Sequence, residues 1–306
     1  FTVTNTSGYT QNAPTVKANG ITLGAQSVSG NTRTYVITGV KEDKKVTIGT
    51  QANTYSVAYN CGAGTSKDGA SATSIKHGGS AAIKINIDPV YSQNTPTLSA
   101  SNGTLTGISR SGNVMTATLS GVTANTTVSA SAIAKNKYTV TIPAGTGYSS
   151  NVGSRTVTHG DTTTFTITLD KAYNQNAPVA KIDGKALSYT QNGDSYTFTT
   201  GAITANKNVE ISGVRINKYT VSVPEKATGL SITKSGNNTV DYNKDFTFTV
   251  TRGEAYTQRT PVVKVNGTVI TGTQSGNKFT YTIKNIKENK TVTIDNLEIN
   301  KYNVSI

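Results

Sequence analysis

Short runs of alternating apolar and polar residues recur along the whole chain. Phe165, Ile167 and Leu169 alternate with Thr166, Thr168 and Asp170. Phe248 and Val250 alternate with Thr249 and Thr251, and Ile83, Ile85 and Ile87 with Lys84, Asn86 and Asp88. Successive side chains of a strand point to opposite faces, so each run predicts a strand with one buried face. No stretch carries the 3.6-residue apolar stripe of a capped helix, and helices are expected to be nearly absent. Turn chemistry separates the runs at fixed offsets. Asn19-Gly20, Asn102-Gly103, Asp183-Gly184 and Asn266-Gly267 suit two-residue hairpin turns whose central residues need φ > 0. Gly30-Asn31, Gly112-Asn113, Gly193-Asp194 and Gly276-Asn277 mark a second turn. Counting forward from Tyr138, strands are predicted near 138–143, 154–159, 163–170, 178–183, 195–200 and 207–216.

These signals belong to a repeat. Tyr9-Thr10-Gln11-Asn12-Ala13-Pro14 returns at Tyr91–Pro96, Tyr173–Pro178 and Tyr256–Pro261, with tyrosines 82, 82 and 83 residues apart. A second landmark, Asn53-Thr54-Tyr55, returns as Asn136-Lys137-Tyr138, Asn217-Lys218-Tyr219 and Asn300-Lys301-Tyr302, at spacings of 83, 81 and 83. Two independent motifs on one period identify a tandem array. The units are a partial first repeat at 1–53, complete repeats at 54–135, 136–216 and 217–299, and an opening strand at 300–306. About six or seven short strands per period of about 82 residues is the pattern of a small antiparallel β-sandwich of immunoglobulin-like type. The fold class is therefore all-β: an elongated tandem array of such modules. Ile294 to Val304 holds neither Gly nor Pro, so the last strand of one module is expected to run almost straight into the next.

Composition narrows the class of protein. Tyr outnumbers Phe 15 to 6 and only 15% of residues are charged, a balance that suits strands. No apolar run approaches the roughly 18 residues of a membrane-spanning helix. Net charge is +13, yet the basic residues are spread thinly; the nearest approach to a run, Lys41-Glu42-Asp43-Lys44-Lys45, contains two acids. Nucleic-acid binding wants clustered Arg and Lys beside aromatic platforms, so no nucleic-acid partner is expected. Cys61 is the one cysteine and His77 and His159 the two histidines, which excludes a disulfide framework and predicts no metal site or other cofactor. Hydrolase triads, phosphate loops and paired carboxylates are missing, and the chain is not expected to be an enzyme.

At the level of phrases, "FTFTVTRGEAY", "TPVVKVNGTVI", "YTIKNIKENKTVTI" and "INKYTVSV", the chain resembles the tandem immunoglobulin-like modules, each of about 80 residues, of large Gram-positive, especially clostridial, cell-surface proteins. The resemblance covers essentially the whole chain. It implies an extracellular stalk, filament, adhesin rod or surface layer without catalytic residues. Its partners would be neighbouring modules or subunits, and cell-wall or host glycans. The second repeat departs by placing Ile83 where the others carry Phe, and Asn94-Thr95 before Pro96.

Several residues invite a chemical reading. Tyr9 with Gln11, Tyr91 with Gln93, Tyr173 with Gln175 and Tyr256 with Gln258 recur in loops, where a tyrosine can stack on a sugar. An array of weak carbohydrate-binding modules acting by avidity is thus the alternative function. Against it, Tyr can pack the loop while the Gln amide satisfies backbone groups, and no Trp is present. His77, His159 and Tyr242 share one position, which reads as a turn or aromatic packing site. Cys61 aligns with Ala144 and reads as a small half-buried residue, with intermolecular pairing as the alternative. A Lys–Asn isopeptide bond would use Lys218 with Asn206 or Asn289 and a buried acid. Asp161 is the best acid, but Gly79 and Lys244 stand at its equivalents, so such bonds are not expected.

Phe1 corresponds to Phe165, and Tyr302, Asn303, Val304, Ser305 and Ile306 repeat only an opening strand. The plain expectation is a window of a longer array. The sharper one is strand donation, in which this segment pairs with the open edge of the first module of another subunit.

Overall fold

Every hydrophobic alternation noted above becomes a strand in the computed structural model, which describes residues 1–306. The chain is all-β: short strands in small sheets, no α-helix, and three single-turn 3₁₀ segments at Ser7–Tyr9, Pro89–Tyr91 and Glu254–Tyr256. It divides into two compact units, Phe1–Lys137 and Tyr138–Ile306.

The C-terminal half of the second unit shows the architecture most completely. One five-stranded sheet runs, in spatial order, Thr239–Asp241, Lys218–Ser222, Lys290–Ile294, Val263–Val265 and Thr268–Ile270. A second runs Lys226–Ala227, Leu230–Lys234, Phe246–Arg252, Lys278–Ile283 and Thr273–Ser275. Val221, Val263 and Val292 from the first sheet meet Phe248, Val250, Phe279 and Tyr281 from the second in one core. Two four-stranded sheets enclose Ile83, Ile85, Leu119 and Val128 at 54–135, and three sheets of three, four and three strands enclose Val140, Phe165, Ile167 and Phe198 at 136–216. Phe165, Ile167 and Leu169 are buried, whereas Thr168 is exposed and Thr166 reaches Thr197 across the strand pair at 2.9 Å.

Hairpin turns form at three of the four Asn-Gly or Asp-Gly pairs noted above. At Asn102-Gly103 only the glycine takes a positive φ (86°), and the flanking strands Leu98–Ala100 and Thr104–Ser111 belong to different sheets, so the chain crosses between sheets there instead of making a hairpin. Asn19, Asp183 and Asn266 take φ of 45°, 51° and 49°, and the glycines after them 85°, 75° and 83°. Without a Cβ, glycine adopts that conformation at no steric cost.

Three features differ from the sequence expectation. First, the sheets are not wholly antiparallel: the opening strand of each complete repeat pairs in parallel with its closing strand, Val57 with Thr126, Val140 with Lys207 and Val221 with Lys290. The chain returns to lie beside its opening strand after crossing to the other sheet and back, a long-range arrangement that alternation does not encode. Second, Ser188–Asn192 forms an edge strand although all five residues are exposed, so it carries no alternation to detect. Third, the closing strand does not run on. It stops at Ala130, Ser212 and Ile294, because the following residues bond sideways: Ile133 N–H donates to Ala63 O and Leu297 N–H to Thr228 O, both at 3.0 Å.

Candidate functional site

The two landmark motifs, about forty residues apart in sequence, meet in space. The Gln11 amide accepts from Thr54 N–H at 2.7 Å and donates to Thr54 O at 3.1 Å, so one side chain satisfies both backbone groups of the residue that opens the next repeat. It serves as a one-residue strand partner. Asn53 completes the clasp. Its Oδ1 accepts from Gln11 N–H (2.8 Å), and its Nδ2 donates to Ser7 O (3.1 Å) and Thr10 Oγ1 (3.2 Å). Its backbone N–H donates to Gly8 O and its carbonyl accepts from His77 N–H, both at 2.8 Å. Asn53 is 3% exposed with every polar group partnered, as burial of an amide requires.

The side-chain bonds of the clasp recur in each of the other three copies. Gln93 grips Lys137 (2.8 and 3.0 Å) and its backbone N–H donates to Asn136 Oδ1 (2.8 Å). Gln175 grips Lys218 (2.9 and 3.2 Å) beside Asn217 (3.0 Å), and Gln258 grips Lys301 (3.1 and 3.1 Å) beside Asn300 (2.9 Å). Asn136 and Asn217 are buried; Asn300 is half-buried. The residue between Tyr and Gln also has a purpose: Thr10, Ser92, Asn174 and Thr257 each offer a side-chain oxygen to the clasp Asn. That requirement for a short side chain with an oxygen was visible in the sequence only as an unassigned position.

Tyrosine of the loop has a structural seat in three repeats. A Cβ on Gly64, Gly147 or Gly229 would lie 2.6, 2.4 or 2.5 Å from the ring of Tyr91, Tyr173 or Tyr256, and all three glycines have φ near +80° (82°, 84° and 78°). Each ring therefore rests directly on a left-handed glycine. Tyr9 has no such glycine among residues 1–53 and is 36% exposed.

Other singled-out residues are placed as follows. His77 packs on Tyr55, His159 on Tyr138 and Tyr242 on Tyr219, with ring centroids 6.0, 5.8 and 6.4 Å apart. Asn206 Oδ1 and Asn289 Oδ1 accept the N–H groups of Thr139 (2.9 Å) and Thr220 (2.8 Å), a role that Asn125 fills for Ser56 (3.0 Å). Lys218 Nζ pairs with Asp241 at 2.6 Å on the surface, so neither member of the Lys–Asn pairs is aimed at the other. Cys61 is half-buried, and burial raises the pKa of its thiol above the ordinary value, against a hydrogen bond with Thr65. Tyr302 and Val304 are 77% and 89% exposed, and residues 302–306 join no strand. A shallow cleft of about 520 Å³ opens at 182–207, floored by Ile182, Leu187 and Ile203 and flanked by the Lys207–Asp183 ion pair (2.5 Å); none of the loop tyrosines lines it. No helix is long and apolar enough to cross a membrane.

A comparison with protein-family models finds no match to this chain, and a comparison with curated proteins finds none either.

Proposed function

We propose that this chain is a non-catalytic, load-bearing array of immunoglobulin-like modules within an extracellular bacterial surface protein, such as a stalk, filament or adhesin rod. The carrying observation is the clasp. Four times over, the recurrent Tyr-x-Gln and Asn-x-Tyr motifs are spent on holding the start of one repeat to the loop of the preceding one. Repeats that contact chiefly their neighbours form quasi-one-dimensional arrays, and buried, fully bonded amides at the connection resist bending where a flexible linker would not. The alternative, an array of weak carbohydrate-binding modules, would draw on the same loops, whose Gln amides are engaged with backbone.

Two measurements on the whole chain test the reading. Small-angle scattering should return a radius of gyration well above the roughly 19 Å of one compact domain of this length. A glycan array should show no binding. A radius near that figure overturns the rod, and saturable glycan binding lost on replacing the four loop tyrosines establishes the carbohydrate reading instead.

A further inference from the structure

Four Asn-Gly pairs stand in the chain, at 19–20, 102–103, 192–193 and 266–267. Such a pair is chemically fragile. The glycine nitrogen can attack the asparagine carboxamide carbon, and without a Cβ on the glycine nothing crowds the approach. The attack requires an asparagine side chain free to swing onto its own backbone.

Three of the four are held. Asn19 Oδ1 accepts from Lys45 N–H at 2.8 Å, and Nδ2 donates to Asp43 O at 3.4 Å. Asn102 Oδ1 accepts from Thr123 N–H (2.8 Å) and Ala124 N–H (3.2 Å), while Nδ2 donates to Thr123 Oγ1 (3.3 Å). Asn266 Oδ1 accepts from Thr291 N–H at 2.8 Å. Each clamp ties the amide to backbone 21 to 26 residues further on, which fixes the side-chain torsions. Ring closure there must wait until the clamp opens.

Asn192 is different. It ends the edge strand Ser188–Asn192 and faces Ser195 at the last rung of its hairpin. Asn192 and Gly193 are exposed, and no group of the protein bonds the Asn192 amide or the Gly193 N–H. Ser29, Ser111 and Ser275 stand at the matching position before Gly30, Gly112 and Gly276, so the unclamped pair is peculiar to 136–216.

We propose that Asn192 is the chain's site of spontaneous deamidation, singled out among the four Asn-Gly pairs by the clamps on the other three. Hydroxide removes the Gly193 amide proton, and the nitrogen forms a bond to Asn192 Cγ. The Cγ–Nδ2 bond breaks, and Nδ2 leaves as ammonia after taking a proton from water. Water then opens the cyclic imide at either carbonyl, giving aspartate or isoaspartate, and no oxidant or reductant is consumed. Either product gains a carboxylate. Isoaspartate also inserts a methylene into the backbone at the last rung, where Gln191 Nε2 donates to Gly193 O at 3.0 Å and to Tyr196 Oη at 2.9 Å. Those two acceptors shift relative to each other, so the edge strand loosens from this end. The chemistry is independent of the function proposed above.

Ageing the whole folded chain at mildly alkaline pH, followed by peptide mapping with isoaspartate detection, tests the proposal. Conversion at Asn192 should run roughly tenfold faster than at Asn19, Asn102 and Asn266, about the factor that one clamp bond is worth. In denaturant, where the clamps are gone, the four sites should convert at similar rates. Asn192→Ser should remove the fast conversion and leave the fold intact, because Ser111 and Ser275 occupy the same place in the neighbouring repeats. Equal rates at the four sites of the folded chain overturn the proposal, as does a lead for Asn192 that persists unchanged in denaturant.

Discussion

Residues 1–53 and 217–299 are written in one grammar and make the same local contacts, yet only one of them has a closed core. Thr2 faces Thr34 and Val3 faces Arg33 across the first pair of strands; Thr249 faces Thr280 and Val250 faces Phe279 across its counterpart. Phe1 stacks on Tyr35 at 5.6 Å and 17°, and Phe248 on Tyr281 at 5.3 Å and 16°. Burial is where they part. Phe1 is 49% exposed and Phe248 1%, and the core of 1–53 is reduced to Val3, Val16 and Tyr35 beside Leu23. Register and pairwise stacking are properties of two neighbouring strands. Exclusion of water depends on the strand that closes the second sheet.

The largest consequence concerns those two phenylalanines. Phe248→Ala should lower the local stability of 217–299 by about 3–5 kcal/mol, while Phe1→Ala should cost less than about 1 kcal/mol. Amide hydrogen exchange on strand residues of each region reads the two separately, and equal losses would contradict the burial contrast.

Next come the seats of the loop tyrosines. Gly229→Ala forces a Cβ to 2.5 Å from Tyr256 at a φ of +78°, and should cost roughly 2–3 kcal/mol. Gly267→Ala, at φ +83° with open space around it, should cost only about 1 kcal/mol. Tyr9→Ala should be milder than Tyr256→Ala, because no glycine seats Tyr9. Thermal melts of the four variants rank them.

The clasp should behave differently from the core. Asn53→Ala and Asn217→Ala strip a buried acceptor and donor from backbone partners, and both should cost about 2–3 kcal/mol; Asn300→Ala, half-buried, should cost about 1 kcal/mol. Faster exchange of the Gln11 and Gln175 amides should accompany the first two. If Asn53→Ala proved much milder than Asn217→Ala, the connection would depend on a closed core, which its bonding pattern does not suggest.

The smallest expected effect is alkaline. Burial raises the Tyr281 phenol above the ordinary tyrosine value, and it does the same to Tyr148 and Tyr196. The fold thus favours the protonated form. Its contribution is complete below the unfolded pKa of about 10 and is lost as pH rises from there through the higher folded value. Denaturant midpoints should therefore fall above pH about 10, and Tyr281→Phe should blunt the fall.

Much of this was legible in the residues. Alternation and two-residue turns located the strands, and a shared period of the two motifs marked the repeat. The clasp was legible only as two separate signatures. Tyr-x-Gln invited a ligand reading because nothing in one dimension shows that Gln11 and Thr54, or Gln175 and Lys218, lie side by side. The absence of Gly and Pro around Ile294–Val304 suggested a straight run, but Leu297 turns to bond with Thr228. A bond of that kind leaves no local mark.

By itself, the sequence determined which residues are extended, which face of each strand is apolar, and where the chain turns, because period-two alternation and the φ > 0 demand of Asn-Gly are local physics. Only the tertiary structure decided that opening and closing strands pair in parallel and that Asn53, Asn136 and Asn217 are buried amides rather than surface ones. Those outcomes depend on which distant strand lies alongside, and the free energy of burying an amide or a valine depends on all of its neighbours at once.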